Sequence, residues 1–188
     1  NNGVFHAVNG NQTAAIGTML PNPLVVSMTD ATGSPVVGRS VAFSVTRGNG
    51  SLTTAAGQQG RSVSLVTDSA GRAQVRFTLG TRSGAGNDQV TANAIGFVCE
   101  VLFSASAMAG AAAQVIAVSG ENQRGLVGAP LPLPFVVIVL DSGGNPVAGV
   151  PVSFSVLQGG GTLEGVTGLT RNTDSDGKTF AVLILGLQ

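Results

Sequence analysis

One stretch of this chain occurs twice. Asp141-Ser142-Gly143-Gly144-Asn145-Pro146-Val147-Ala148-Gly149-Val150-Pro151 runs straight into Val152-Ser153-Phe154-Ser155-Val156. Earlier, Asp30-Ala31-Thr32-Gly33-Ser34-Pro35-Val36-Val37-Gly38-Arg39-Ser40 runs into Val41-Ala42-Phe43-Ser44-Val45. In both, a Gly/Pro turn cluster feeds a run whose Val, Phe and Val fall on one side, the period-two signature of a half-buried strand. Pro35 and Pro146, like Phe43 and Phe154, lie 111 residues apart. A repeat of that length is a whole domain rather than a solenoid unit, so the 188 residues are read as two domains.

The rest of the chain keeps the same grammar of short strands between turn signals. Leu24 to Thr29 alternates with Leu24, Val26 and Met28 inward. Ala73 to Leu79 sets Val75, Phe77 and Leu79 inward against Gln74, Arg76 and Thr78. Gln89 to Ile95 and Phe97 to Ala105 read as a closing hairpin in which Phe97, Cys99, Val101 and Phe103 share a face. On this reading Cys99 packs as a small hydrophobe. Met108 to Ala113 is a small-residue tether, and the order then begins again. Gly159-Gly160-Gly161-Thr162-Leu163 echoes Gly48-Asn49-Gly50-Ser51-Leu52. Thr173-Asp174-Ser175-Asp176-Gly177 echoes Thr67 to Gly71 at a spacing of 106. The predicted organisation is 1–107, a linker at 108–113, and 114–188.

Composition narrows the partners. Only 10% of residues are charged, nine basic against nine acidic. No basic face for nucleic acid is expected, and a single lysine, Lys178, offers little to an anionic membrane. Apolar runs such as Phe135 to Leu140 are too short to span a bilayer, so no membrane insertion is expected. Asn1-Asn2-Gly3 shows no signal-peptide pattern, so the chain is read as mature or as a fragment. The lone Cys99 permits no internal disulfide.

Pro146 to Val156, the Gly-rich bend, Thr173 to Lys178 and the alternating strand after it resemble the bacterial immunoglobulin-like domain, group 1. This is the repeat of the intimin and invasin adhesins. The resemblance covers nearly the whole chain, twice. It implies an all-β fold of tandem immunoglobulin-like Greek-key β-sandwiches, an extracellular location at the bacterial cell surface, and a spacer or adhesive role without catalytic residues.

Two departures from the repeat point further. After Leu79-Gly80 the first domain continues to Ala107, whereas after Leu185-Gly186 the second has only Leu187 and Gln188. The second is therefore read as lacking its last strand pair, through true absence or because the chain is a slice of a longer array. The other departure is a change of face. Outward positions Val25, Ser27, Thr29, Gln74, Arg76 and Thr78 correspond to Val136, Ile138, Leu140, Phe180, Val182 and Ile184. Burying six such side chains would contribute on the order of 10 kcal/mol as an upper bound. Exposed apolar patches of that size mark contacts. These six are the expected assembly interface, through self-association or a neighbouring domain of the same protein. The alternative to a contact is a continuous apolar core strand.

No cofactor, metal or catalytic centre is expected. Asp174-Ser175-Asp176-Gly177 starts like a calcium loop, but the twelfth position is Leu185 rather than a bidentate acid. Gly177-Lys178-Thr179 lacks the first glycine of a phosphate loop, Asn172 standing there, and enters a strand rather than a helix. His6 is the only histidine, which leaves a zinc site or a serine triad without members. The expected function is a structural module of a surface fibre, rod or adhesin. The alternatives are a ligand-binding adhesin module, reading carbohydrate or a host protein through the loops at Gly159 and at Ser83 to Asp88, or an accessory domain of a secreted enzyme.

Overall fold

The computed structural model describes residues 3–187, and no helix forms among them. The chain divides into two compact units, with the boundary in sequence between Met108 and Ala109. The first carries β1 (Val4–Ala7), β2 (Gln12–Ala15), β3 (Leu24–Thr29), β4 (Ser40–Arg47), β5 (Ser51–Thr53), β6 (Gln59–Gly60), β7 (Ser62–Val66), β8 (Arg72–Thr78), β9 (Gly84–Ala94) and β10 (Val101–Met108). Its two sheets run β1-β3-β8-β5-β6 and β2-β10-β9-β4-β7. All pairings are antiparallel except that of β2 with β10. Apart from β5 with β6 and β9 with β10, strands that pair are not chain neighbours, and this is the strand order of an immunoglobulin-type Greek key.

Alternation builds the core. Leu24, Val26, Met28, Val75 and Phe77 from one sheet are buried against Val41, Phe43, Val90, Ala92 and Phe103 from the other. Phe43 and Phe103 stack with ring centroids 6.3 Å apart.

The second unit carries β11 (Ala112–Ser119), β12 (Phe135–Asp141), β13 (Pro151–Ser155), β14 (Thr162–Leu163), β15 (Gly168–Asn172), β16 (Lys178–Ala181) and β17 (Leu183–Ile184). They pair as β11-β12-β16, β13-β15 and β14-β17. The segment between β10 and β11 is only 109–111, shorter than the tether expected from composition. Met108 closes β10 by pairing with Ala15, and Ala112 opens β11 by pairing with Asp141.

The same hydrogen bonds recur in both units. Thr67 Oγ1 donates to Val36 O at 2.6 Å and accepts from Arg39 N at 2.9 Å. Thr173 Oγ1 donates to Val147 O at 2.7 Å and accepts from Val150 N at 2.9 Å. Asp68 and Asp174 cap their turns, each accepting two backbone amides. Gly71 and Gly177 close those turns at φ of 71° and 70°. A Cβ there would come within 2.4 Å of Met28 O or 2.9 Å of Val139 O, so both positions require glycine.

The closing strand of the first unit starts later than its alternation suggests. Gly96 turns at φ 90°, β10 begins at Val101, and Cys99 is exposed. Cys99 therefore does not pack in the core. Phe97 instead reaches Phe5, with ring centroids 5.9 Å apart.

Candidate assembly surface and open edge of the second unit

The outer face of the second unit is apolar where that of the first is polar. In β12 and β16, Val136 pairs directly with Phe180 and Ile138 with Lys178. The matching pairs in β3 and β8 are Val25 with Gln74 and Ser27 with Arg72. Leu140 lies beyond the end of β16, beside Gln114 of β11. Val182 falls in the break between β16 and β17. Ile184 pairs with Thr162, while its neighbour Leu183 turns inward beside Leu163.

Val136, Ile138 and Phe180 thus form a stripe on the sheet β11-β12-β16, with Leu140 further along β12, while Val182 and Ile184 lie beyond the end of β16, Ile184 in the separate β14-β17 sheet. Val136, Ile138, Leu140, Val182 and Ile184 are each half-buried by their neighbours, and Phe180 is 48% exposed. Arg171 covers part of the Phe180 ring from 4.8 Å and donates to Phe180 O at 3.1 Å. Its other terminal nitrogen pairs with Glu164. A charged clasp therefore stands against the most exposed aromatic of the stripe.

One member escaped the sequence reading. Ile116 pairs with Ile138, in the position where His6 pairs with Ser27. The signal was present: aligning Ala117-Val118 with Ala7-Val8 sets Ile116 on His6, a further polar-to-apolar exchange on the same face.

The inner side is open. In the first unit β4 pairs with β7 on one edge and β9 on the other. Among the described residues, its counterpart β13 pairs with β15 alone. Phe43 is fully buried, whereas Phe154 is only half-buried and lines a cavity of about 410 Å³ with Phe135, Val156, Leu157, Leu163 and Leu183. Val115, facing Val139 as Phe5 faces Met28, is 57% exposed against 8% for Phe5.

The alternative ligand-reading loops divide. Asn87 and Asp88 line a separate cavity of about 490 Å³ with Arg47, Asn49, Arg82 and Ser83, in the first unit. Gly159 sits in an exposed turn at φ 88°. Among the described residues, no group of three His, Cys, Asp or Glu is placed to hold a metal.

No family model matches the sequence, and no curated protein sequence matches it. Among solved structures, the chain is similar to invasin, a bacterial integrin-binding protein, at 17% identity and a TM-score of 0.45. That alignment covers 100% of this chain and 34% of that one. It is similar to domains 4–9 of the surface layer protein SbsC at 13% identity and a TM-score of 0.41, covering 98% of this chain and 27% of that one. E. coli alpha-2-macroglobulin aligns at 13% identity and a TM-score of 0.39, over 98% of this chain and 12% of that one. The chain thus spans about a third or less of each of these three structures.

Proposed function

We propose that the chain is a non-catalytic structural segment of a bacterial surface rod, fibre or adhesin. In this reading it is built of two domains of the group 1 immunoglobulin-like kind, and its second domain packs the outer face of β11, β12 and β16 against a neighbouring subunit or domain. The observation that carries this reading is the stripe of Val136, Ile138 and Phe180 joined by Ile116. The same strands of the first unit present His6, Ser27 and Gln74. Five of the six predicted residues are already half-buried. Covering the remainder would contribute about 4 kcal/mol at most, the smaller part of the upper bound for complete burial. That is enough to bias association without guaranteeing it.

Static light scattering over a concentration series tests the reading. Self-association that disappears in an Ile138→Lys, Phe180→Lys double variant supports it. A chain that stays monomeric throughout and binds no hydrophobic dye would sink it.

A further inference from the structure

We propose that the first unit holds a binding site for an acidic sugar, a small hydroxylated molecule bearing a carboxylate or a sulfate. The site is the cavity of about 490 Å³ lined by the turn 47–49 and the segment 82–88. It uses no residue of the outer stripe.

The lining supplies a receptor for an oxyanion. Arg47 and Arg82 both line the cavity, and both are exposed. Among the described residues, neither guanidinium has a hydrogen-bond or ion-pair partner. The acid in the same wall does not pair with them. Asp88 is 1% exposed, its Oδ1 lies 3.4 Å from Gly80 N, and its Oδ2 has no hydrogen-bond partner among the described residues. Burial raises this carboxyl, which weakens the negative charge it sets against the arginines. Two unpaired guanidinium forks at one cavity match the geometry of a carboxylate or a sulfate.

The fold itself does not require these groups. In the second unit Gln158 and Gly160 stand at the positions of Arg47 and Asn49, 111 residues on, and the same turn still forms. In the first unit the walls are tied together. Asn49 Nδ2 donates to Thr81 Oγ1 at 3.0 Å, and Asn49 Oδ1 accepts from Thr81 N at 2.9 Å. Asn87 Nδ2 donates to Arg82 O, and Asn87 Oδ1 accepts from Ala107 N at 3.2 Å. Arg61 Nη1 props the turn by donating to Gly48 O at 3.0 Å. A cavity braced in this way is formed before its ligand arrives, as small-molecule sites usually are.

Size and polarity specify the rest of the ligand. The volume falls in the range of small-molecule sites, roughly 300–1,000 Å³, and a bare inorganic anion would leave most of it to water. No apolar side chain lines the cavity, so the body that carries the anion must itself be polar. Asp88 lines the wall with a carboxyl that lacks a donor for one oxygen. A hydroxyl seated against it can supply that donor without adding charge. An ammonium group would need the carboxyl ionised, which its burial opposes. An oxyanion on a hydroxylated ring meets each of these conditions.

The test titrates the full chain with sodium glucuronate and with glucose 6-sulfate, and follows the backbone amides by two-dimensional NMR. Saturable shifts are expected at 47–49 and 82–88 with at least one of the two, and the tighter ligand identifies the oxyanion. Glucose lacks the charge and inorganic sulfate lacks the hydroxyls, so each should bind about tenfold more weakly or worse. Arg47→Gln, which installs the second unit's residue at this turn, should weaken binding about tenfold, and Arg82→Gln likewise. The double variant should lose binding while keeping the wild-type melting temperature, because both side chains are exposed. Arg76→Gln, outside the cavity, should leave the affinity unchanged. The proposal is overturned by saturable shifts with neither acidic sugar, or by shifts confined to residues away from the cavity. Inorganic sulfate binding as tightly as either sugar would overturn it too, as would full affinity in both single arginine variants.

Discussion

The Asp141 carboxylate accepts the Gly110 amide at 2.8 Å, which ties the segment before β11 to the turn after β12. The same carboxylate accepts from Gly143 N at 2.8 Å, Asn145 N at 2.9 Å and Asn145 Nδ2 at 3.0 Å. Asp141 is buried. Its counterpart Asp30 is exposed and bonds only within its own turn, to Thr32 and Ser34. The second unit has turned a local cap into an anchor for its own first strand.

Removal of that anchor is costly. Asp141→Ala should destabilise the second unit by about 3 kcal/mol, since several donors to a charged, buried acceptor lose it together. Asp30→Ala should cost about 1 kcal/mol or less in the first unit. The pH dependence has a definite sign. Burial pushes the Asp141 carboxyl up, but the amides of Asn145 and Gly110, the Asn145 side chain and the Gly143 amide outweigh it, holding the group below the ordinary carboxylate range. Stability from a lowered carboxyl is present above the unfolded value and is lost as pH falls through the folded one. The protection of β12 amides, taken relative to the intrinsic exchange rate at each pH, should accordingly fall on acidification in the wild type and be nearly insensitive to it in Asp141→Ala.

Asp88 behaves in the opposite way. It is buried at the end of the first core, with Gly80 N 3.4 Å from Oδ1 and no hydrogen-bond partner for Oδ2 among the described residues. Burial raises its carboxyl, and the Gly80 amide offsets this only in part. For an acid raised in the folded state, the favourable neutral form is fully present below the unfolded value. Stability is then lost as pH climbs through the folded value. Asp88→Asn should therefore raise the melting temperature of the first unit at neutral pH, with the gain shrinking as the pH is lowered toward 4. A gain that grows on acidification would contradict this account.

Alternating strands with one apolar side, such as Leu24 to Thr29 and Ala73 to Leu79, are legible because the first unit buries one face and wets the other. The turns at Asp68 and Asp174 are legible because Gly71 and Gly177 have no sterically allowed substitute. β2 was not, since Gln12-Thr13-Ala14-Ala15 has no alternation and becomes a strand only through a parallel partner some 93 residues away. The start of β10 was misjudged because Phe97, Cys99, Val101 and Phe103 keep period two across a loop, and periodicity does not say where pairing begins. On the outer stripe, the exchanges at Ile138, Leu140, Phe180, Val182 and Ile184 could be read directly. The exchange at Ile116 was legible too, once Ala117-Val118 is aligned with Ala7-Val8.

The loop before β10 gives a simple chemical test. Cys99 is exposed, so its thiol should react with a disulfide reagent in the folded chain, to the same extent as in denaturant. Cys99→Ser should shift stability by no more than about 0.5 kcal/mol, as for a surface substitution that leaves the core untouched. A thiol that becomes reactive only on unfolding would return Cys99 to the core.

The sharpest comparison is between Phe43 and Phe154, which occupy equivalent positions 111 residues apart in different surroundings. Phe43 is fully buried and stacked on Phe103, so Phe43→Ala should cost about 3–5 kcal/mol. Phe154 is half-buried over a cavity, and its removal forfeits only part of a transfer term, about 1–2 kcal/mol. Denaturant unfolding of the two variants measures both values. Equal costs in the free chain would mean that the inner side is closed in solution.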